Sequence, residues 1–438
     1  MNIQAPAPDF ALKNEEAPFD ISELFFSRTD ERGVIEAGNA VFQRVSGYEW
    51  SALIGAPHKV VRHSDMPKGL FHILWARLKA GLPTGAYIKN RAADGRYYWV
   101  YAIVTPIEGG YVSVRLKPTS PVLQTVFEEY AEAVRAETEE GLSAEQSAAR
   151  MCERVGGLGF ATYDAFSSYA IANEILARDR ALGREEDQRI KSLKFLLPAL
   201  KEIESEQKKL FHAFEAIRGI PSNMRIVASR LEPAGGPISA ISQNYRLMSN
   251  EVTEQLSAFS SDDGSRNLSD TILERVYRAM FIVAAARVQR EVGENAHKAI
   301  QTGDQRDGFQ YESEVLETIL EDYMRQSTET LASVYQDIAR LMQSSKDLKQ
   351  LVTGLDSIRV LCRVEAGRLG SNSVALTPVI DQLDRFHVDI DRTLERIVEH
   401  AAEVKRLVEK AMPRSVSRTM YAVHGNMTRR GQRANGLT

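Results

Sequence analysis

Hydrophobic positions change their period once along this chain. Before residue 120, short β-branched and aromatic runs alternate with turn signals such as Arg32-Gly33, Asp94-Gly95 and Gly109-Gly110, which predicts an α+β segment. The runs 97–104 and 111–116 read as two strands joined through Gly109-Gly110, suited to a sheet with one buried face, and 86–91 reads as a strand entering the Asp94-Gly95 turn. Helical pieces are predicted at 39–45, 50–54 and 68–80. In the last of these Phe71, Leu74, Trp75 and Leu78 form one stripe, which either packs into a core or walls a ligand pocket.

After Pro118-Thr119-Ser120-Pro121 the period becomes helical. Leu383, Phe386, Ile390, Leu394, Ile397, Ala401, Val404 and Val408 step by three or four residues. Leu316, Ile319, Tyr323, Val334, Ile338, Leu341, Leu348 and Val352 do the same, and a third helix is predicted over 185–217. A narrow apolar seam is buried only against another helix, so antiparallel hairpins in a bundle are expected, with a homodimer as one way to complete it. Breaks are expected at Gly156-Gly157, Gly219-Ile220-Pro221, 233–237, Asp262-Asp263-Gly264, 303–308 and 370–378. A faint echo links Met224-Arg225-Ile226-Val227-Ala228 with Ile358-Arg359-Val360-Leu361-Cys362; two copies do not make a solenoid. The organisation expected is an N-terminal extension (1–18), an α+β domain (19–118), a helical bundle or coiled-coil region (119–412) and a tail (413–438). The tail has Arg414, Arg418, Arg429, Arg430 and Arg433 and no acidic residue, which predicts a solvated, flexible end, with local docking to an acidic partner as the other reading.

Composition narrows the function. The 438 residues carry 55 Lys plus Arg against 59 Asp plus Glu, a formal charge of -4, so no global basic field attracts nucleic acid or anionic lipid. The longest apolar run, residues 280–286, is far short of the roughly 20 residues a membrane span needs. No secretory signal is visible at the N-terminus, and the two cysteines, Cys152 and Cys362, have no Cys or His at ligand spacing. A cytoplasmic protein in a reducing compartment, with neither disulfide framework nor zinc module, is therefore expected. No Gly-rich phosphate loop, GxSxG or HExxH motif occurs, and the eight histidines are scattered, so no enzymatic activity is expected; a histidine kinase would need an ATP-binding domain that is not visible here.

The densest polar cluster is Val61-Arg62-His63-Ser64-Asp65-Met66-Pro67-Lys68, at the start of a predicted helix, where Ser64 or Asp65 can cap and Pro67 suits the first turn. Capping does not account for Arg62 and His63. A second cluster, Lys89-Asn90-Arg91, lies on a strand that can bring an amide beside aromatic faces, a mixture that suits a flat heteroaromatic ligand.

Together with Asn39-Ala40-Val41-Phe42-Gln43-Arg44-Val45-Ser46-Gly47-Tyr48, Leu53-Ile54-Gly55-Ala56-Pro57-His58 and Asp94-Gly95-Arg96-Tyr97-Tyr98-Trp99-Val100, these blocks resemble a PAS domain of the aerotaxis-receptor type over about residues 19–118. The resemblance implies a five-stranded antiparallel sheet with short helices around a bound FAD, read out through its redox state. Carried over residue by residue, it implies flavin contacts from Asn39, Arg62, His63, Asp65, Phe71, Trp75 and Asn90. One position departs: where the family often has a tryptophan after Gly-x-Pro, Gly81-Leu82-Pro83 is followed by Thr84. The stretches Ser222-Asn223-Met224-Arg225-Ile226-Val227-Ala228 and Ile238-Ser239-Ala240-Ile241-Ser242-Gln243-Asn244-Tyr245-Arg246 distantly resemble the arms of a chemoreceptor tip, which implies chemotaxis-type signalling proteins as partners. A redox or oxygen sensor relaying a conformational bias to a helical output is thus expected. The other reading is a PAS-based interaction or scaffolding protein with no bound cofactor.

Overall fold

The computed structural model describes residues 12–231, 235–259, 266–301, 309–370, 374 and 376–412. The first eleven residues, residues 232–234, 260–265, 302–308, 371–373 and 375, and the basic tail lie outside the described residues, and with them all or part of the breaks expected at 233–237, 262–264, 303–308 and 370–378. The chain divides into two compact units. The first takes residues 1–194 and 277–329, the second 195–276 and 330–438.

In the first unit, five strands form one antiparallel sheet in the order β2-β1-β5-β4-β3. They are β1 (Leu24–Asp30), β2 (Ile35–Gly38), β3 (Thr84–Arg91), β4 (Tyr97–Ile107) and β5 (Gly110–Leu116). The hairpin around Gly109-Gly110 sets the central register, with Ala102 opposite Arg115 and Val104 opposite Ser113. Between β2 and β3 lie α1 (Ala40–Ser46), α2 (Trp50–Leu53), a 3-10 turn (His58–Val61) and α3 (Lys68–Lys79). Phe25, Phe42, Tyr98 and Val100 fill one end of the inner sheet face, with Phe25 stacked on Tyr98 at 5.8 Å.

The outer sheet face differs from the expected pattern, because it too is buried. It meets α4 (Val122–Glu139), α6 (Tyr163–Ala181) and the early part of α11 (Phe309–Leu369). Trp99 packs on Phe127 and Tyr130, Tyr101 donates to the Ser167 carbonyl at 2.8 Å, Thr105 bonds Tyr323 at 2.5 Å, and Arg28 forks onto Glu312. Polar partners on the covering helices let hydroxyl-bearing strand residues be buried without orphaning their oxygens.

Helix α3, whose stripe faces the inner side of the sheet, is held from behind by α5 (Ala144–Gly157). The two approach so closely at Gly69 that a Cβ there would stand 2.5 Å from Ser147 Oγ. The cap on α3 is not the one expected. Ser64 and Asp65 do not supply it; the Lys68 and Gly69 amides donate to Glu137 of α4 at 3.0 and 2.9 Å, placing a carboxylate on the positive end of the helix. Helix α5 starts at a capping box, with Ser143 Oγ accepting from the Gln146 amide and Gln146 Oε1 from the Ser143 amide. Ser143→Ala removes half of it and is expected to cost about 1 kcal/mol, read as a lower urea midpoint for the tryptophan fluorescence of this unit.

The second unit is helical. It comprises the body of α7 (Gln188–Ile217), α8 (Ile220–Arg230), α9 (Gly236–Leu256), the first turns of α10 (Leu268–Gln301), the rest of α11, and α12 (Thr377–Ala411). Helices α8 and α9, which hold the two tip-like stretches, pair as a hairpin, with Ser242 Oγ donating to the Pro221 carbonyl at 2.7 Å. The α12 seam from Leu383 to Val408 is buried inside this one chain: Phe386 meets Phe214 edge-on at 5.2 Å, and Arg396 bonds Glu206 at 2.8 Å. A second copy is not needed to cover it. Cys362 is buried, and burial pushes its thiol up to about 11, as for an inert packing residue. Among the described residues no helix is long and apolar enough to cross a membrane, and no His, Cys, Asp and Glu group is arranged to hold a metal.

Candidate functional site

A cavity of about 300 Å3 lies between the inner sheet face and α3. Strand alternation builds its floor: Ala86, Ile88 and Asn90 on β3, Ala102 and Val104 on β4, Tyr111, Ser113 and Arg115 on β5, and Thr29 on β1. Phe71, Leu74, Trp75 and Leu78 of α3 form the opposite wall, so the amphipathic stripe is pocket wall. Ala86 stands directly across from Ala102, and these two small side chains hollow out the middle of the floor. Gly33, at φ 77°, turns the β1–β2 hairpin beside the Trp75 ring, where a side chain would be strained.

The Arg62-His63-Ser64-Asp65-Met66-Pro67 segment lies along the free edge of β3. The His63 amide donates to the Lys89 carbonyl at 3.2 Å, the Lys89 amide to Met66 Sδ at 3.1 Å, and Arg62 bridges Asn90. Covering an edge strand this way satisfies its outward groups and hangs Arg62 over the cavity. The Arg62 guanidinium carbon stands 3.4 Å from the Phe71 ring centroid, and burial lowers its pKa.

Of the seven residues singled out in the sequence, Arg62, Phe71, Trp75 and Asn90 line this cavity together; Asn39, His63 and Asp65 do not. Asn39 is spent on the scaffold: its Oδ1 accepts from the Phe26 and Phe42 amides, both at 3.1 Å, and its Nδ2 donates to the Leu24 carbonyl at 2.8 Å. His63 Nδ1 accepts from the Asp65 amide at 3.1 Å, and Asp65 Oδ2 holds Lys89 Nζ at 2.6 Å. Burial and then Lys89 lower the His63 pKa. Burial opposes ionisation of Asp65, but the bond from Lys89, with electrostatic attraction from His63 and Lys89, outweighs it and lowers its pKa. These two residues fasten the segment to β3 and leave the cavity wall to Arg62.

Sequence reasoning missed His58, Ser113 and Arg115. Arg115 Nη2 donates to Ser27 Oγ at 2.8 Å and to His58 Nε2 at 2.5 Å. This makes His58 an acceptor at Nε2, and burial followed by the Arg115 charge pushes its pKa down to about 3. The side-chain oxygen of Ser113 and Nη1 of Arg115 are buried without a hydrogen-bond partner. For Ser113 and Arg115 the sequence signal was a serine and an arginine in step on an otherwise apolar strand; His58, on the 3-10 turn, had none.

Aromatic walls, an amide and unspent polar atoms fit a flat heteroaromatic group such as the flavin ring, and the volume is at the small end for ligand pockets. Arg62, Phe71, Trp75, Asn90, Ser113 and Arg115 are the residues that would hold it.

Residues 36–115 match the family described as the PAS fold. This segment is a PAS domain. Over 120 residues the chain is 38% identical to the aerotaxis receptor of Escherichia coli (strain K12), covering 26% of this chain and 24% of the receptor. Over 86 residues it is 28% identical to the nitrogen fixation regulatory protein of Klebsiella pneumoniae, covering 20% of this chain and 17% of that one. The chain thus matches about a quarter or less of the length of these relatives. With the solved Erythrobacter litoralis EL346 blue-light activated histidine kinase it shares 14% identity and a TM-score of 0.22, over 36% of this chain and 53% of that one, a likeness too low to bear on the fold.

Proposed function

We propose that this chain is a signal-transduction protein whose PAS domain binds FAD and passes a redox or oxygen signal to its helices. The observation that carries the reading is the cavity itself, with aromatic walls on one side and unpartnered Ser113 Oγ and Arg115 Nη1 on the other. The 38% identity to an aerotaxis receptor over the same segment supports it. A bound flavin supplies a ring whose protonation and charge change with its redox state, so contacts that differ between the two forms bias the protein.

The chain's own residues offer a route for that bias. β3 presents Ala86, Ile88 and Asn90 to the cavity and Tyr87 to the other face, where its hydroxyl donates to Glu174 of α6 at 2.7 Å. Glu174 also accepts from the amides of Thr119 and Ser120, which connect β5 to α4. A shift of β3 is therefore felt at once by the exit from the domain and by a covering helix. On the output side the reading takes chemotaxis-type signalling proteins as partners and a homodimer as the working form, the first resting on the kinship of the sensory segment.

The test is reconstitution of the purified full chain with FAD. Flavin absorption bands that persist through gel filtration are expected. Protein that stays colourless after FAD is supplied would overturn the reading and leave the cofactor-free interaction module in its place.

A further inference from the structure

The inner sheet face holds a cation with no counter-charge. Arg115 is only 4% exposed, its Nη2 is taken by Ser27 and His58, and its Nη1 has no partner. Among the described residues no carboxylate lies within ion-pair reach of it. The Phe42 ring centroid lies 5.4 Å from the guanidinium carbon, and its two bonded partners, Ser27 and His58, are uncharged. A buried, half-satisfied guanidinium is costly to the folded chain, and evolution keeps such a group where something else completes it. The hollow it borders is the cavity described above.

The geometry points to Arg115 as the anchor for an electron-rich edge of the cavity's ligand, a carbonyl-bearing or anionic edge that accepts from Nη1. His58 and Ser27 act as positioning residues that aim the guanidinium. This rests on the flavin reading and deepens it: a ring carrying a dione edge is accepted, and a purely hydrocarbon ligand of the same size is selected against because it leaves Nη1 unpaired. His58 suits its task because it stays an uncharged acceptor. A protonated imidazole would face Arg115 with like charge and release it.

The inference makes two opposite predictions for one substitution. Arg115→Met removes the uncompensated cation while keeping an unbranched side chain, and Ser27 Oγ, 3.4 Å from His58 Nε2, is free to donate to it instead. The ligand-free variant is therefore expected to unfold at the same urea concentration as wild type or higher. Its affinity for riboflavin is expected to fall tenfold or more, since a charge-assisted bond is lost. Riboflavin is the right probe because it has no phosphate whose charge could act elsewhere. Arg115→Lys, which keeps the charge, should retain part of the affinity, and His58→Leu should weaken binding less than Arg115→Met.

Affinity is measured by fluorescence titration of the full chain, and stability by urea unfolding without ligand. Unchanged riboflavin affinity in Arg115→Met would overturn the assignment. So would loss of affinity together with a lower urea midpoint in both the Met and Lys variants, which would make Arg115 a structural residue. Wild-type chain that takes up neither riboflavin nor FAD would instead sink the flavin reading, and this inference with it.

Discussion

Glu174→Ala is expected to cost the first unit about 4 kcal/mol, whereas Glu174→Gln costs about 1 kcal/mol. Glu174 is fully buried, and both of its oxygens are in use. One accepts from the Thr119 and Ser120 amides at 2.6 and 2.9 Å, the other from the Tyr87 and Ser120 hydroxyls at 2.7 and 2.6 Å. Alanine leaves two amides and two hydroxyls facing a dry gap. Glutamine keeps one oxygen against the amides, which cannot reverse, and turns its NH2 toward the hydroxyls, of which Ser120 can accept. All three tryptophans lie at or before residue 99, so urea unfolding followed by their fluorescence reads this unit. Equal midpoints for the two variants would show that Glu174 is not the junction its contacts describe.

The same junction explains what the sequence did not reveal. Strands β3, β4 and β5, the short helices and the α3 stripe were legible because each carries the period of its element: alternation on a sheet, steps of three and four on a helix. Helix α6 was read only as part of the helical half, without bounds of its own. Ser167, Ser168, Glu174, Arg178 and Asp179 are all buried along it, so it has no apolar stripe to recognise. Its solvation comes from partners remote in sequence: Arg178 binds Glu291 at 2.7 Å and the Ile21 carbonyl at 2.9 Å. A pattern reading assigns such residues to solvent. Only tertiary context shows that they are paired.

The site was legible in part for a related reason. Arg62, Phe71, Trp75 and Asn90 stand in short blocks whose residue types already combine cation, ring and amide. Arg115 lies on a strand whose neighbours Val114 and Leu116 are buried on the opposite face, and nothing local marks it as facing a hollow. His63 and Asp65 sat in the conspicuous block yet hold the block to β3, because an edge strand needs covering as much as a ligand needs contacts. The seven residues singled out in the sequence thus combine two tasks, lining the cavity and fastening the scaffold, that spacing alone could not separate.

Ala102→Phe is expected to abolish flavin uptake, with a loss of affinity of a hundredfold or more, while leaving the PAS domain folded. Ala102 stands at the centre of the cavity floor, between Ala86 on β3 and Arg115 on β5. Ala102 lines a hollow of about 300 Å3, a volume larger than a phenyl ring. Filling an apolar void restores contacts that its lining lacks, so the ligand-free variant should unfold at a urea concentration no lower than wild type. The two readouts together separate sensing from docking. If the cavity exists for a ligand, small residues at 86 and 102 trade stability for space, and occupying that space with the chain's own ring removes binding and gains stability. If the domain serves only as a contact surface, nothing requires alanine at the floor, and partner capture by the full chain should survive Ala102→Phe with no change. Flavin loading equal to wild type in a folded Ala102→Phe protein would place the ligand outside this cavity and would overturn the assignment of Arg62, Phe71, Trp75 and Asn90 along with it.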